Sequence, residues 1–435
     1  MFLATLASAR VLAAAPLDDD QLSDSAVLAV LHGRGPSDGS GGVLGRSANG
    51  SVLGVDSVVN FSSYFYLPGW FTDQFTGDLN VSFPQFTWPY TMVGRAPFGH
   101  DDSDGTTKIH APIIPVAIDL RNFDGTPRYC TTANGSQVRL YRSALPHVQP
   151  VLNSPVFQNA RYSSSERPTQ FTDAVHRASF FKMADDDWHT ILKPDVKKER
   201  VMVLIRGNYF FNTDANCNIR YVLVQYFYFG SKLFPPNSSD TSTIIGGAEH
   251  DGDMTTPDIT SFIFPDTYLY FPGYPTVPNT CCVLGYHTYD LEPGDDSNKF
   301  RERRYVLNYS SWISPGLFGS AFTDVTALSH EMAELFADPF INNATPWWLA
   351  PNGVCQDNLE TGDVIEGLPN ATFPMTMNGF TYHPQNEALL QWFASQTPSS
   401  AIHHAYSYPD ESVLPTPSVS LTPGCGGPAG PFSKQ

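Results

Sequence analysis

Residues 328–339 read Leu-Ser-His-Glu-Met-Ala-Glu-Leu-Phe-Ala-Asp-Pro. On a helix, His330 and Glu334 project from one face, one turn apart. An imidazole nitrogen and a carboxylate oxygen so placed can grip one metal ion. Glu331 would stand on the adjoining face, where its carboxylate can take a proton from a water held by that ion. The arrangement is that of the H-E-x-x-H metallopeptidase helix, with glutamate in place of the second histidine. This replacement makes the site more anionic and moves it toward harder metals, although zinc also accepts carboxylate ligands. The competing reading is a solvated charged stripe on an amphipathic helix whose apolar face is Leu328, Met332, Leu335 and Phe336.

A hydrolytic zinc site needs a third protein ligand and one position left for water. Pro339 should end the helix at Asp338. After a loop containing Pro346, Trp347, Trp348 and Cys355 come Glu360 and Asp363, both candidates for that ligand. Gly362 between them would allow a tight turn back toward the helix. An ordinary acidic loop is the alternative. His287, behind Gly285 and Tyr286 at a strand end, is a candidate for a place beside the metal or substrate. Tyr382 and His383 are candidates for stabilising a transition state, whereas His189 reads as structural. Gly35-Pro36-Ser37-Asp38-Gly39 matches G-x-S-x-G by letter. It sits in a Gly/Ser-rich stretch without the strand and helix a nucleophile elbow requires, so it reads as a chance match.

The chain resembles the plant phosphate-induced (EXORDIUM-like) secreted proteins, which carry H-E-L-x-E, then T-D-P, then E-x-x-D-K-C. The counterparts here are His330, Glu331, Glu334, Asp338, Pro339, Glu360 and Asp363, with Cys355 placed before the acidic pair instead of after it. It is more closely similar to a group of uncharacterised secreted fungal and bacterial proteins. That likeness rests on Tyr90–Gly94, Thr169–Ala174, Trp188–Thr190, Cys281–His287 and Ser329–Pro339. The resemblance implies a zincin-like metal site in a secreted protein and names no substrate.

Several elements must position these residues. Ala111–Leu120 reads as a strand within an aromatic, β-rich N-terminal lobe. Thr169–Leu192 has helical spacing. Arg200–Arg206, Tyr221–Phe229, Cys281–His287 and Arg304–Asn308 read as strands, with a loop over Ser310–Thr323 before the metal helix. A last helix is expected over Asn386–Ala394. The expected fold is therefore α+β: a mixed sheet packed on a zincin-like H-E-x-x-E helix, with the β-rich lobe beside it. The divisions are a possible signal peptide at 1–15, a flexible leader at 16–55, the lobe at 56–165, the metal-binding domain at 166–412 and a Pro/Ser/Gly-rich tail at 413–435.

Composition narrows the partners. The 435 residues suffice for a large core, and the net charge of −18 argues against nucleic-acid or anionic-membrane partners. No run of apolar residues is long enough to span a bilayer. The six cysteines form no C-x-x-C pair, so disulfides are expected instead of a cysteine–zinc site. Eight N-x-S/T sequons, at Asn49, Asn60, Asn80, Asn134, Asn237, Asn308, Asn343 and Asn370, point with them to a secretory route. The N-terminal apolar stretch lacks a basic flank, so it is an atypical signal peptide or the start is misplaced.

The expected function is a secreted zinc, or other divalent-metal, hydrolase. It would act on a protein or cell-wall substrate, with peptidase chemistry the leading reading. The alternative is a non-catalytic secreted or wall-associated glycoprotein with a structural or vestigial metal site. A carbohydrate-active enzyme is a third reading, but no carboxylate pair can be placed across a glycosidic bond from sequence.

Overall fold

A computed structural model describes residues 20–21, 52–59, 61–71, 81–95, 97, 105–163, 167–275, 281–319 and 322–418. The expected signal peptide, nearly all of the leader, the Gly35–Gly39 match, Cys425, the tail beyond 418 and the sequons at Asn49, Asn60 and Asn80 lie outside them.

The chain is built on strand: 39% strand against 17% helix, with six α-helices among the described residues. This overturns the expected zincin-like α+β fold. The main element is a nine-stranded, largely parallel sheet curved into a half-barrel. Its central strand is Thr106–Arg121, which pairs in parallel with His189–Val196 and Arg200–Ile205 on one edge and with Ile259–Pro265 on the other. Ile259–Pro265 in turn pairs in parallel with the long strand Glu302–Phe318, and Gly285–Glu292 closes on that strand antiparallel. The expected N-terminal lobe therefore supplies the central strand of this sheet.

The reason is visible in the burial of that strand. Ile109, Ala111 and Ile113 join one core cluster, while Ile114, Val116, Ile118 and Leu120 join another. Side chains alternate across a strand, so both faces are covered, and the near-continuous apolar run is that of a buried parallel strand. One face packs on a four-stranded sheet of Tyr209–Thr213, Ile219–Gln225, Thr267–Tyr270 and Cys281–Val283. The other packs on the helix Thr326–Ala337 through Leu328, Met332, Leu335 and Phe336.

Local readings are corrected in the same way. The strand expected over Tyr221–Phe229 stops at Gln225, whose side chain accepts from the backbone N–H of Tyr228 at 2.6 Å and starts a helix, Tyr226–Leu233. This cap outweighs the strand preference of the aromatic run. Helical spacing over Thr169–Leu192 becomes the helix Phe171–Ser179 followed by the strand from His189. Most of the loop expected over Ser310–Thr323 is the continuation of Glu302–Phe318. The expected last helix shrinks to Leu390–Phe393, since Glu387–Ala388 pairs with Ser407–Tyr408.

Cys130 is joined to Cys217 and Cys281 to Cys282, and Cys355 is also disulfide-bonded. No helix among the described residues is long and apolar enough to cross a membrane. The sequon asparagines Asn134, Asn237 and Asn370 are exposed. Asn308 and Asn343 are buried and used internally: Asn308 donates to Ser261 Oγ, and Asn343 donates to the carbonyls of Thr91 and Ala337.

Candidate metal centre

Every residue of the helix Thr326–Ala337 is buried. His330, Glu331 and Glu334 are 8%, 5% and 2% exposed, which removes the reading of a solvated charged stripe. The helix lies against the strands Gly285–Glu292 and Glu302–Phe318. Its C-terminal carbonyls are satisfied from the segment Tyr90–Gly94 and from Asn343. Val93 N–H donates to Phe336 O at 3.0 Å, and Asn343 Nδ2 donates to Ala337 O at 2.6 Å. Asp338 accepts from the backbone N–H groups of Asn342 and Asn343, so it fastens the turn after the helix.

Two other elements bring polar groups to the helix. On the strand Gly285–Glu292, Gly285 and His287 share one face, because alternate residues do. A Cβ at Gly285 would come within 2.7 Å of Glu331 Cγ, so only glycine lets the strand pass so close. The loop 358–363 is held by backbone bonds from Leu359 N–H to Asn343 O and from Ala388 N–H to Thr361 O. Gln385 Nε2 also donates to Gly362 O at 2.8 Å. Gly362 matters for close approach more than for a turn: a Cβ there would sit 2.5 Å from His330 Nδ1.

The result is two sets of ligand-type atoms, His330/Glu334/Asp363 and His287/Glu334/Glu360, with the atoms of each set within 4.8 Å of one another. His330 Nε2 is 3.1 Å from Glu334 Oε2 and 3.7 Å from Asp363 Oδ1. His287 Nδ1 is 3.4 Å from Glu334 Oε2 and 4.0 Å from Glu360 Oε2. Glu331 reaches both rings, at 3.9 Å from His330 Nε2 and 3.6 Å from His287 Nδ1. Donors that share a tetrahedral zinc ion stand roughly 3.3 Å apart, given metal–ligand distances of ~2.0–2.2 Å. Buried His, Glu and Asp side chains here could thus hold a metal ion.

The sequence-predicted residues divide clearly. His330, Glu331, Glu334, Glu360 and Asp363 converge, and both Glu360 and Asp363 reach the helix, each facing a different histidine. His287 is among the side chains that could hold the ion, closer to the centre than its reading as a neighbour suggested. The face it shares with Gly285 is the signal that could have found it. Tyr382 and His383 are tied elsewhere. The Tyr382 hydroxyl donates to Pro150 O at 2.9 Å, and His383 Nδ1 lies 2.7 Å from Asp324 Oδ2, at the start of the helix. His189 also pairs elsewhere, its Nδ1 2.7 Å from the buried Asp173.

Electrostatics follow from this crowding. Burial alone would favour neutral His330, but Glu334 and Glu331 reverse that and hold its pKa well above the ordinary value. His287 behaves alike: burial opposes its charge, and Glu360, Glu331 and Glu334 outweigh burial. Burial also pushes up Glu331, Glu360 and Asp363, whereas Glu334, between the two imidazoles, is held well below the usual carboxylate range despite burial. Asp338 is pushed up to about 7, chiefly by burial. Glu387, fully buried nearby, is raised too by burial, and its Oε2 accepts from Thr361 Oγ1.

Two cavities of about 20 Å³ each meet at His330, Glu331 and Asp363. One is walled by His287, Glu334 and Glu360, and the other opens between Leu284, Phe322, Thr326 and Gln385. No family model, curated protein or solved structure matches the chain.

Proposed function

We propose that this chain is a secreted, divalent-metal-dependent hydrolase, with zinc the leading metal and a protein or cell-wall polymer the leading substrate. One observation carries the reading. Four buried carboxylates stand within 4.0 Å of two buried imidazoles. Buried charges persist when paired or when they coordinate a metal, and two imidazoles cannot balance four carboxylates. The donor set, imidazole nitrogens with carboxylate oxygens, suits zinc and harder divalent ions.

When bound, such an ion lowers the pKa of its water from ~15.7 to about 7 and polarises a scissile carbonyl. The protein's residues do the rest. Glu334 and His330 offer ligand atoms from one helix face, and Asp363 or Glu360 completes each set. Glu331 bridges the two cavities, so its carboxylate can accept a proton on the ligand side and release it toward the Gln385 side. Burial raises its pKa, which favours holding a proton. Secretion is supported by the disulfides and by the exposed sequons at Asn134, Asn237 and Asn370.

The tightness of the site favours one competing reading, a non-catalytic glycoprotein with a structural metal. Glu331→Gln separates the two. As a hydrolase, the variant keeps its metal and fold and loses turnover of an unfolded-protein or wall-polymer substrate by about 10²–10⁴-fold. Turnover equal to wild type would contradict the role of Glu331, and no turnover in either protein would favour the structural reading.

A further inference from the structure

The two ligand sets share Glu334 and no other residue. The environment of Glu334 explains how it can serve both. Its Oε1 accepts the backbone N–H groups of Gly362 at 2.9 Å and Asp363 at 3.3 Å, so that oxygen is already used. Oε2 faces two imidazoles on different elements, His330 Nε2 at 3.1 Å and His287 Nδ1 at 3.4 Å. From His287 Nδ1 the carboxylate oxygens lie at 3.4–4.0 Å, long for hydrogen bonds. Its other nitrogen, Nε2, is buried without a hydrogen-bond partner. The ring therefore turns Nδ1 to the carboxylates.

Charge points the same way as the two ligand sets. Glu331, Glu334, Glu360 and Asp363 together carry four negative charges when ionised, beside neutral imidazoles. One divalent ion would leave net negative charge buried even with the other imidazole protonated, at a cost of several kcal/mol. Two divalent ions balance the four.

We propose that the centre is dinuclear: one divalent ion on His330, Glu334 and Asp363, a second on His287, Glu334 and Glu360, with Glu334 Oε2 common to both. This rests on the metal-binding reading above and deepens it. It also assigns His287 and Glu360 to a site of their own.

The full chain, freed of metal by chelator and dialysis, is titrated with Mn²⁺ while bound metal is counted and the electron paramagnetic resonance spectrum recorded. The expected result is two Mn²⁺ per chain with an exchange-coupled spectrum. His287→Gln and Asp363→Asn, chosen to keep size and fold, should each bind one ion and give the spectrum of isolated ions. Saturation of the wild type at one ion per chain would overturn the dinuclear proposal while leaving the metal reading intact. Two ions still bound by His287→Gln would overturn the assignment of the second set. Failure to bind either Mn²⁺ or Zn²⁺ would overturn the metal reading itself, and this proposal with it.

Discussion

Two faces of one helix show what sets a buried histidine that could hold a metal ion apart from one that is merely packed. On one side of Thr326–Ala337, His330 meets Glu331, Glu334 and Asp363, and these carboxylates raise its pKa against the effect of burial. On the other side, Phe336 presents its ring to His176, whose centroid lies 5.3 Å away. His176 is 3% exposed, stacks on Trp188 and has no hydrogen-bond partner at either nitrogen. Burial there wins outright and its pKa falls to about 4. Both rings are buried to a similar degree, so burial does not distinguish them. The carboxylates aimed at the ring do.

The comparison can be broken most forcefully at Glu334. Glu334→Ala removes the oxygen shared by both imidazoles and leaves the remaining charges unpaired. Stability should drop by on the order of 3–5 kcal/mol and metal should be lost, as read by denaturant melts and elemental analysis. A mild loss with metal retained would erase the contrast between the two faces.

A smaller effect is expected at His176, and its sign is set by protons. Between about pH 6.5 and about pH 4 the unfolded chain protonates this residue and the folded chain does not. Stability therefore falls as the pH falls through that window, by roughly 3 kcal/mol at its lower end. His176→Leu should remove this loss, so the variant gains on wild type at pH 4 and not at pH 7. An equal difference at both values would show that His176 is not buried neutral. The smallest effect belongs to Gly362→Ala. The added methyl meets the His330 ring and should cost about 1–3 kcal/mol through overpacking, with weakened metal binding. The same change at exposed Gly353 should not move metal binding.

Much of the centre was legible in the sequence because its central feature is local. Helical spacing alone aligns His330 with Glu334, and the acidic pair Glu360/Asp363 follows within one loop. The pairing of His287 with Glu334 was not legible, since it depends on the antiparallel register of Gly285–Glu292 with Glu302–Phe318 and on the helix crossing both. The fold was misread for a related reason. Alternation and apolar runs identify strands, but parallel partners lie far apart in sequence, and nothing local ties Thr106–Arg121 to Ile259–Pro265. The segments Tyr90–Gly94, Thr169–Ala174 and Trp188–Thr190 support the helix. The first bonds its C-terminal end, and the second lies on the helix Phe171–Ser179 that packs against it. The third is bound to the second through Asp173, which accepts from Thr190 N–H at 2.7 Å.

The central claim is that this carboxylate-rich pocket holds divalent metal. The most direct test is elemental analysis of the purified full chain, paired with thermal melts before and after chelation and after return of Zn²⁺. The account predicts bound divalent metal, a lower melting temperature on chelation and recovery when Zn²⁺ is restored. A metal-free protein whose melting temperature is unmoved by chelator and by added Zn²⁺ or Mn²⁺ would contradict it.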